Sequence, residues 1–153
     1  MAGLEHKIPP PVIGLICAAG MYAAAQYTPT LDMAPLWKWL LVSAFALTGL
    51  ALDFSGLLAF LRRHTTINPL RPEKSTALVT GGIYQLTRNP MYLGMACLLL
   101  AWAVYLQSPA ALLGVPAFMA YITRYQIKPE ERILEQLFGA DFTRYTAQVR
   151  RWL

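Results

Sequence analysis

The side chains with the most chemical potential in this chain stand between Gly81 and Gly94, in the run Gly-Gly-Ile-Tyr-Gln-Leu-Thr-Arg-Asn-Pro-Met-Tyr-Leu-Gly. One guanidinium, one amide and two phenols occupy a turn-forming segment that leads directly into an apolar stretch. Arg88, Asn89, Tyr84 and Tyr92 therefore sit at the mouth of a membrane helix, where polar groups must be satisfied by protein, water or a ligand. A second polar cluster, Pro129-Glu130-Glu131, follows the last apolar run. An arginine brings paired donors for an anion. Adjacent carboxylates bring acceptors for a cation or a proton. Function depends on these two clusters meeting in space.

The elements that would bring them together are membrane helices. The 153 residues are 56% apolar and 14% charged, whereas a soluble domain carries about 25% charged residues. One membrane-embedded domain over residues 1–153 is expected. The net charge of +5 does not indicate nucleic acid, because the basic residues flank apolar runs and form no groove-sized patch. Cys17 and Cys97 lie inside apolar runs and read as packing residues, with no disulfide or metal site implied. His6 and His64 lie outside the spans, which argues against a haem held by two histidines.

A spanning helix needs about 20 mostly apolar residues. Four segments approach that: residues 12–27, 36–61, 91–107 and 110–127. Gln107-Ser108-Pro109 makes the last two a helical hairpin. The first segment also has the form of a secretory signal, with Lys7 before it and Ala23-Ala24-Ala25 near its end. Its small residues Gly14, Ala18, Ala19, Gly20 and Ala24 suit close helix packing and favour a retained span. Of the thirteen Lys and Arg residues, only Lys38 falls on the side opposite the termini. Positive residues mark the cytoplasmic side. The expected fold is therefore an all-α, polytopic membrane protein with four spans in the cytoplasmic (inner) membrane. Both termini and both polar segments, 81–90 and 128–153, then face the cytoplasm.

The C-terminal part should be helical but not spanning. Pro129 suits a helix start, and Glu130 and Glu131 suit its first turn. Ile133, Leu134, Leu137 and Phe138 recur at helical spacing. Gly139 is expected to cap that helix, and Asp141 to cap the start of a final one. Phe142, Tyr145, Val149 and Trp152 form an apolar stripe beside Arg144, Arg150 and Arg151, which either lies on the membrane surface or packs back over the polar clusters. Asp53 is an intramembrane carboxylate, read either as functional or as a structural hydrogen-bonding group. Residues 65–69 read as a loop.

Two motifs, in this order, carry a resemblance. The first is Gly82-x-Tyr84-x-x-x-Arg88-Asn89-Pro90-x-Tyr92-x-Gly94. The second is Glu130-Glu131-x-x-Leu134-x-x-x-Phe138-Gly139-x-x-Phe142-x-x-Tyr145. Together they resemble the isoprenylcysteine carboxyl methyltransferases and the related phospholipid N-methyltransferases, over residues 65–153. The resemblance implies a membrane enzyme using S-adenosylmethionine at the cytoplasmic face, with a lipidic acceptor arriving from the bilayer. It assigns Gly82, Tyr84, Arg88, Pro90, Tyr92, Glu130 and Glu131 to the cofactor site. The family's common pattern has histidine where this chain has Asn89, which can exchange hydrogen bonds but cannot act as a base.

The donor's chemistry fits these side chains. Arg88 suits a carboxylate, and Glu130 and Glu131 suit an ammonium or ribose hydroxyls. Tyr84 and Tyr92 offer aromatic walls, and Pro90 and the Gly81-Gly82 pair shape the backbone. Glu130 and Glu131 are also the candidate catalytic groups, since an amine or thiol acceptor requires a base and a carboxylate acceptor does not. Arg124 is a weaker candidate for an anionic acceptor head group. The acceptor remains one of three: an isoprenylcysteine-like carboxylate, a phospholipid amine or a hydrophobic thiol. The competing reading is a small non-catalytic membrane subunit that binds a lipid or a partner helix.

Overall fold

The computed structural model describes residue 5, residues 7–62 and residues 77–153. The loop expected at 65–69, the cations Arg63, Arg71 and Lys74, and both histidines lie outside the described residues. The described chain is helical throughout, with no strand among the described residues.

Prolines set most of the helix starts. Helix α1 runs Pro10–Gln26 and α2 runs Pro35–Arg62. A short 3₁₀ turn, Gly82–Gln85, precedes α3, Pro90–Leu106. Proline is suited to the first helical position because the N–H it lacks would be unpaired there. Helix α3 ends where Gln107 turns left-handed at φ 52°, and the chain reverses through Ser108-Pro109. A 3₁₀ turn, Ala110–Leu113, then leads into α4, Gly114–Ile122.

From there the helical run does not stop. A π-helical turn, Thr123–Ile127, joins α4 directly to α5, Lys128–Phe138. This corrects the expected fresh start at Pro129. A proline within a helical run removes a donor and crowds the carbonyl four residues back. The widened turn just before it absorbs that conflict, with the Lys128 N–H reaching the Thr123 carbonyl five residues back. Glu130 and Glu131 therefore do not stand at a free helix terminus, and the dipole argument for them falls. Helix α6, Ala140–Gln148, also starts differently from expectation: Gly139, at φ 49° and ψ −121°, closes α5 and opens α6, and Asp141 lies inside the first turn rather than at its cap. Only glycine adopts that backbone readily.

Helix α3 is the centre of the bundle. One side carries Tyr92, Ala96, Leu99 and Ala103, buried against α1 and α4 with Ala111, Val115, Phe118 and Ile122. The other side carries Pro90 and Gly94, which meet Gly49 and Gly56 of α2. The α2–α3 contact is tight because it is made of small residues. A Cβ placed on Gly94 would lie 2.7 Å from the Gly49 carbonyl oxygen and would overlap the Asp53 carboxylate. Asp53 is thus packed against α3. Its Oδ1 is buried and has no hydrogen-bond partner among the described residues, so that atom does not supply the hydrogen bond of the structural reading.

Helix α2 is long and apolar enough to cross a membrane, while α1 and α3 are apolar but shorter, at 17 residues each. Only 11% of α2's most apolar window is buried inside the protein. A core helix of a soluble protein is mostly covered, so this helix presents its side chains outward, among them Leu47, Leu50, Phe54 and Leu58.

The two ends of the bundle differ. At one end Thr28 and Ser108 share a hydrogen bond of 2.9 Å, Lys38 donates to Gln107 at 3.1 Å, and the Lys38 ammonium stands 4.7 Å from the Tyr105 ring centroid. At the other end the chain's first described residues are tied to the α4–α5 region. Gln126 donates to the Ile8 carbonyl at 2.7 Å, and Arg132 pairs with Glu5 at 2.6 Å.

The glycine contact gives a stability test. Gly94→Ala forces apart two backbones that cannot yield like flexible side chains, and should destabilise the fold by about 1–3 kcal/mol. Gly20→Ala, which meets nothing within 4 Å, should leave it unchanged or slightly improved. Thermal melting of both variants in detergent checks the contrast.

Candidate active site

The cassette folds as a turn that presents its polar residues toward α5 and the chain's last residues. Gly82, exposed at φ 63°, opens the 3₁₀ turn in a conformation that favours glycine. Tyr84, in that turn, is buried in a small core with Val79, Phe142, Tyr145 and Val149. Its ring meets Phe60 edge-on at 5.6 Å, and the Tyr145 hydroxyl donates to its carbonyl at 2.7 Å. The apolar stripe of the C-terminal segment therefore packs back over the cassette and is not laid on a membrane surface. Trp152 instead packs against the core formed by α1, α3 and α4, with its indole N–H donating to Thr123 Oγ1 at 3.2 Å.

Arg88 and the glutamate pair do meet. The Arg88 guanidinium lies 3.1 Å from Glu131 Oε1, with side-chain exposures of 12% and 19%. Glu131 is also gripped by Arg151, through Nε at 3.0 Å and Nη2 at 2.7 Å. This is the bidentate fork that arginine makes with carboxylates. Arg88 uses Nη2 for its contact, and its Nε is buried with no hydrogen-bond partner among the described residues.

Glu130 has a different environment. Consecutive helical residues point about 100° apart, and Glu130 points to α3, where the Tyr92 hydroxyl donates to its Oε2 at 3.4 Å. Burial of its carboxyl raises its pKa from 4.5 to about 7, against the lowering effect of the tyrosine bond and with a further push from Glu131. Burial likewise raises the Tyr84 and Tyr145 hydroxyls above their usual range; Glu130 adds to the first and Arg88 opposes the second. The Arg151 guanidinium is held more firmly protonated by its hydrogen bonds to Glu131.

Asn89 and Pro90 form the hinge into α3. Pro90 is buried as the first helical residue. The Asn89 amide donates to the Arg151 carbonyl at 2.9 Å, and its backbone N–H donates to Thr87 Oγ1 at 3.2 Å. Two more bonds join the same strands of chain: the Arg88 N–H to the Arg150 carbonyl at 3.0 Å, and the fully buried Thr87 hydroxyl to the Arg151 carbonyl at 3.3 Å. Arg124 is half exposed and 3.7 Å from Glu5, with its guanidinium over the Tyr125 ring. None of these partners belongs to the cassette, so the fold brings together Tyr84, Arg88, Asn89, Pro90, Tyr92, Glu130 and Glu131 but gives Arg124 other company.

With this arrangement described, comparison with known proteins is decisive about lineage. Residues 37–141 match the model of the phospholipid methyltransferase family. The chain belongs to the phospholipid methyltransferase family. An uncharacterized protein of Haemophilus influenzae is 46% identical over 63 residues, 41% of this chain and the whole of that shorter protein. Protein-S-isoprenylcysteine O-methyltransferase B of Arabidopsis thaliana is 30% identical over 115 residues, 71% of this chain and 57% of that protein. This chain thus covers little more than half of the plant relative's length. No solved structure matches it. The family resemblance read from the two motifs is borne out.

Sequence reasoning missed Arg151, which it took only as a basic residue beside the apolar stripe. No local signal marks it, because both cations converge on the single carboxylate of Glu131 while Glu130 pairs with Tyr92.

Glu130 gives a pH test with a definite sign. Its folded pKa is raised, so the folded state holds the proton more tightly than the unfolded chain. The resulting stabilisation is present below pH 4.5 and is lost as pH rises through about 7. The melting temperature should fall between pH 5 and pH 8, and Glu130→Gln should flatten that slope.

Proposed function

We propose that this chain is an integral-membrane methyltransferase that takes S-adenosylmethionine at the Arg88–Glu130–Glu131 end of the bundle and methylates a membrane-associated acceptor. The observation that carries the reading is the convergence of Arg88, Tyr92, Glu130 and Glu131, from segments far apart in sequence, into one half-buried cluster. Family membership supports methyl transfer as the chemistry.

The residues present fit the donor. Arg88 keeps most of its N–H groups beyond the single contact with Glu131, including the buried Nε, and so offers donors to a carboxylate. Glu130 offers an acceptor to an ammonium or a ribose hydroxyl. Tyr84 and Tyr92 supply aromatic surface beside it. When bound, the donor supplies an electrophilic methyl group on a sulfonium. The chain's part is to hold the reacting groups in line and exclude water. Glu131 orients Arg88, and Glu130 takes up a proton where the acceptor must lose one.

The membrane arrangement follows the same end-to-end asymmetry. Four helical passes, 10–26, 35–62, 90–106 and 110–127, would set the first residues, the cassette, α5 and α6 on one side, with Lys38 and the 107–109 turn on the other. The contacts of Glu5 and Ile8 with Arg132 and Gln126 support placing the start of the chain on the side of the cassette. The excess of Arg and Lys on that side supports a cytoplasmic orientation, where a water-soluble donor is available. The outward leucines of α2 support lipid contact.

Glu130 separates the acceptor classes. Its pKa near 7 suits a group that accepts a proton around neutral pH. For an amine or thiol acceptor, turnover should rise through pH 7 and the rise should vanish in Glu130→Gln. For a carboxylate acceptor, no base is required and the rate should be independent of that residue's ionisation. Labelled methyl transfer to prenylcysteines, amino lipids and hydrophobic thiols across this pH range distinguishes them.

Binding of S-adenosylhomocysteine to the protein in nanodiscs tests the reading directly. Arg88→Ala should weaken it by about 1.5–3 kcal/mol, as for a hydrogen bond to a charged group, while Glu131 stays paired with Arg151 and the fold survives. Absence of binding by the folded wild-type protein would leave the competing reading, a non-catalytic membrane subunit.

A further inference from the structure

We infer that Arg151 is a second cation of the donor site, and that Asn89 is its positioning residue. The inference rests on the cofactor reading above and extends it to a segment, 150–152, that lies beyond the residues matched by the family model.

Charge makes the first argument. Two guanidinium groups share one carboxylate in this cluster. Arg88, Arg151 and Glu131 together carry one surplus positive charge, and Glu130 bonds to Tyr92 rather than to either arginine. A partly buried surplus charge is unfavourable until an anion answers it. Glu131 orients both guanidinium groups, and Arg88 retains a buried, unpartnered Nε among the described residues. The anion of matching size and valence on the proposed donor is the carboxylate of its amino-acid part.

Geometry makes the second argument. The segment carrying Arg151 is held by its main chain. The Arg150 carbonyl accepts from the Arg88 N–H, and the Arg151 carbonyl accepts from both the Asn89 amide and the Thr87 hydroxyl. All three donors belong to the cassette. The Asn89 side chain is therefore engaged with the protein itself. Its place between Arg88 and Pro90 fixes the main chain of Arg151, whose guanidinium Glu131 then orients. Asparagine meets that requirement with a single neutral donor, which explains how the position serves the site without an imidazole.

Two ligands test this, S-adenosylhomocysteine and 5′-methylthioadenosine, which keeps the nucleoside and thioether but lacks the amino-acid carboxylate. Arg151→Ala should weaken the first on the order of ten- to a hundredfold, the range for hydrogen bonds to charged groups, and leave the second unchanged. Asn89→Ala should show the same selectivity, and adding it to Arg151→Ala should cause little further loss. Asn89→His, which restores a donor, should recover part of the affinity. Should Arg151→Ala fail to fold, Arg151→Lys keeps the charge but loses the fork, and should still weaken only the ligand with the carboxylate. Unchanged affinity for S-adenosylhomocysteine, or equal loss for both ligands, overturns the inference. Wild-type protein that binds neither ligand overturns the cofactor reading beneath it.

Discussion

The carboxylate of Glu131 is the point on which the candidate site depends. It receives Arg88 from the turn before α3 and Arg151 from the end of the chain, and it projects from α5. Three segments that share no secondary structure are joined by one side chain. Removing one partner of a buried ion pair typically costs about 3–5 kcal/mol, because the remaining charge is left uncompensated. Glu131 has two partners, so either arginine can be lost with the carboxylate still paired. The reverse is not true: without Glu131, two guanidinium groups face each other in a half-buried space. The carboxylate is therefore the structural requirement of the cluster.

Helix α3 explains why the cluster forms where it does. Its two sides have different tasks. Pro90 and Gly94 allow α2 to approach to backbone contact, and Tyr92, on the other side, turns toward α4 and α5. The cassette is thereby placed at the start of a helix buried on both sides. The unbroken run from α4 through the π turn into α5 carries the glutamates from the bundle core without a flexible joint. Rigid elements on both sides of a site are what preorganised binding requires.

Much of this was legible in the sequence, for identifiable reasons. The helices announced themselves by apolar runs bounded by prolines at positions 10, 35 and 90 and by the reversal at 107–109. The cassette stood out because polar, turn-forming residues adjoin an apolar helix. What was hidden depends on the main chain or on distance. Pro129 reads as a helix start in any local window; that the helical run instead continues through a π turn before it is a main-chain adjustment that no side chain announces. Asp141 is a good capping residue, but Gly139 takes both cap positions because its left-handed φ turns the chain first. Arg151 looked like one more basic residue on the positive side. Its role depends on the carbonyls of residues 150 and 151, and carbonyls have no sequence signature.

The neighbouring glutamates show how one dipeptide can supply two functions. Glu131 is held by two guanidinium groups and ties three segments together. Glu130, one residue earlier and about 100° around the helix, finds the Tyr92 phenol, and burial moves its pKa to about 7. Adjacent carboxylates given different partners by their surroundings can be set to separate acid–base and electrostatic roles. Here the separation follows from the fold alone: α5 directs one carboxylate to the arginines and the other to α3. The same geometry constrains exchange between them. A change that drew Arg151 away from Glu131 would leave that anion with a single partner and strengthen its repulsion of Glu130. The proton on Glu130 would then be held more tightly. Position 89, by holding residue 151, thus acts on the proton affinity of a carboxylate that it does not touch.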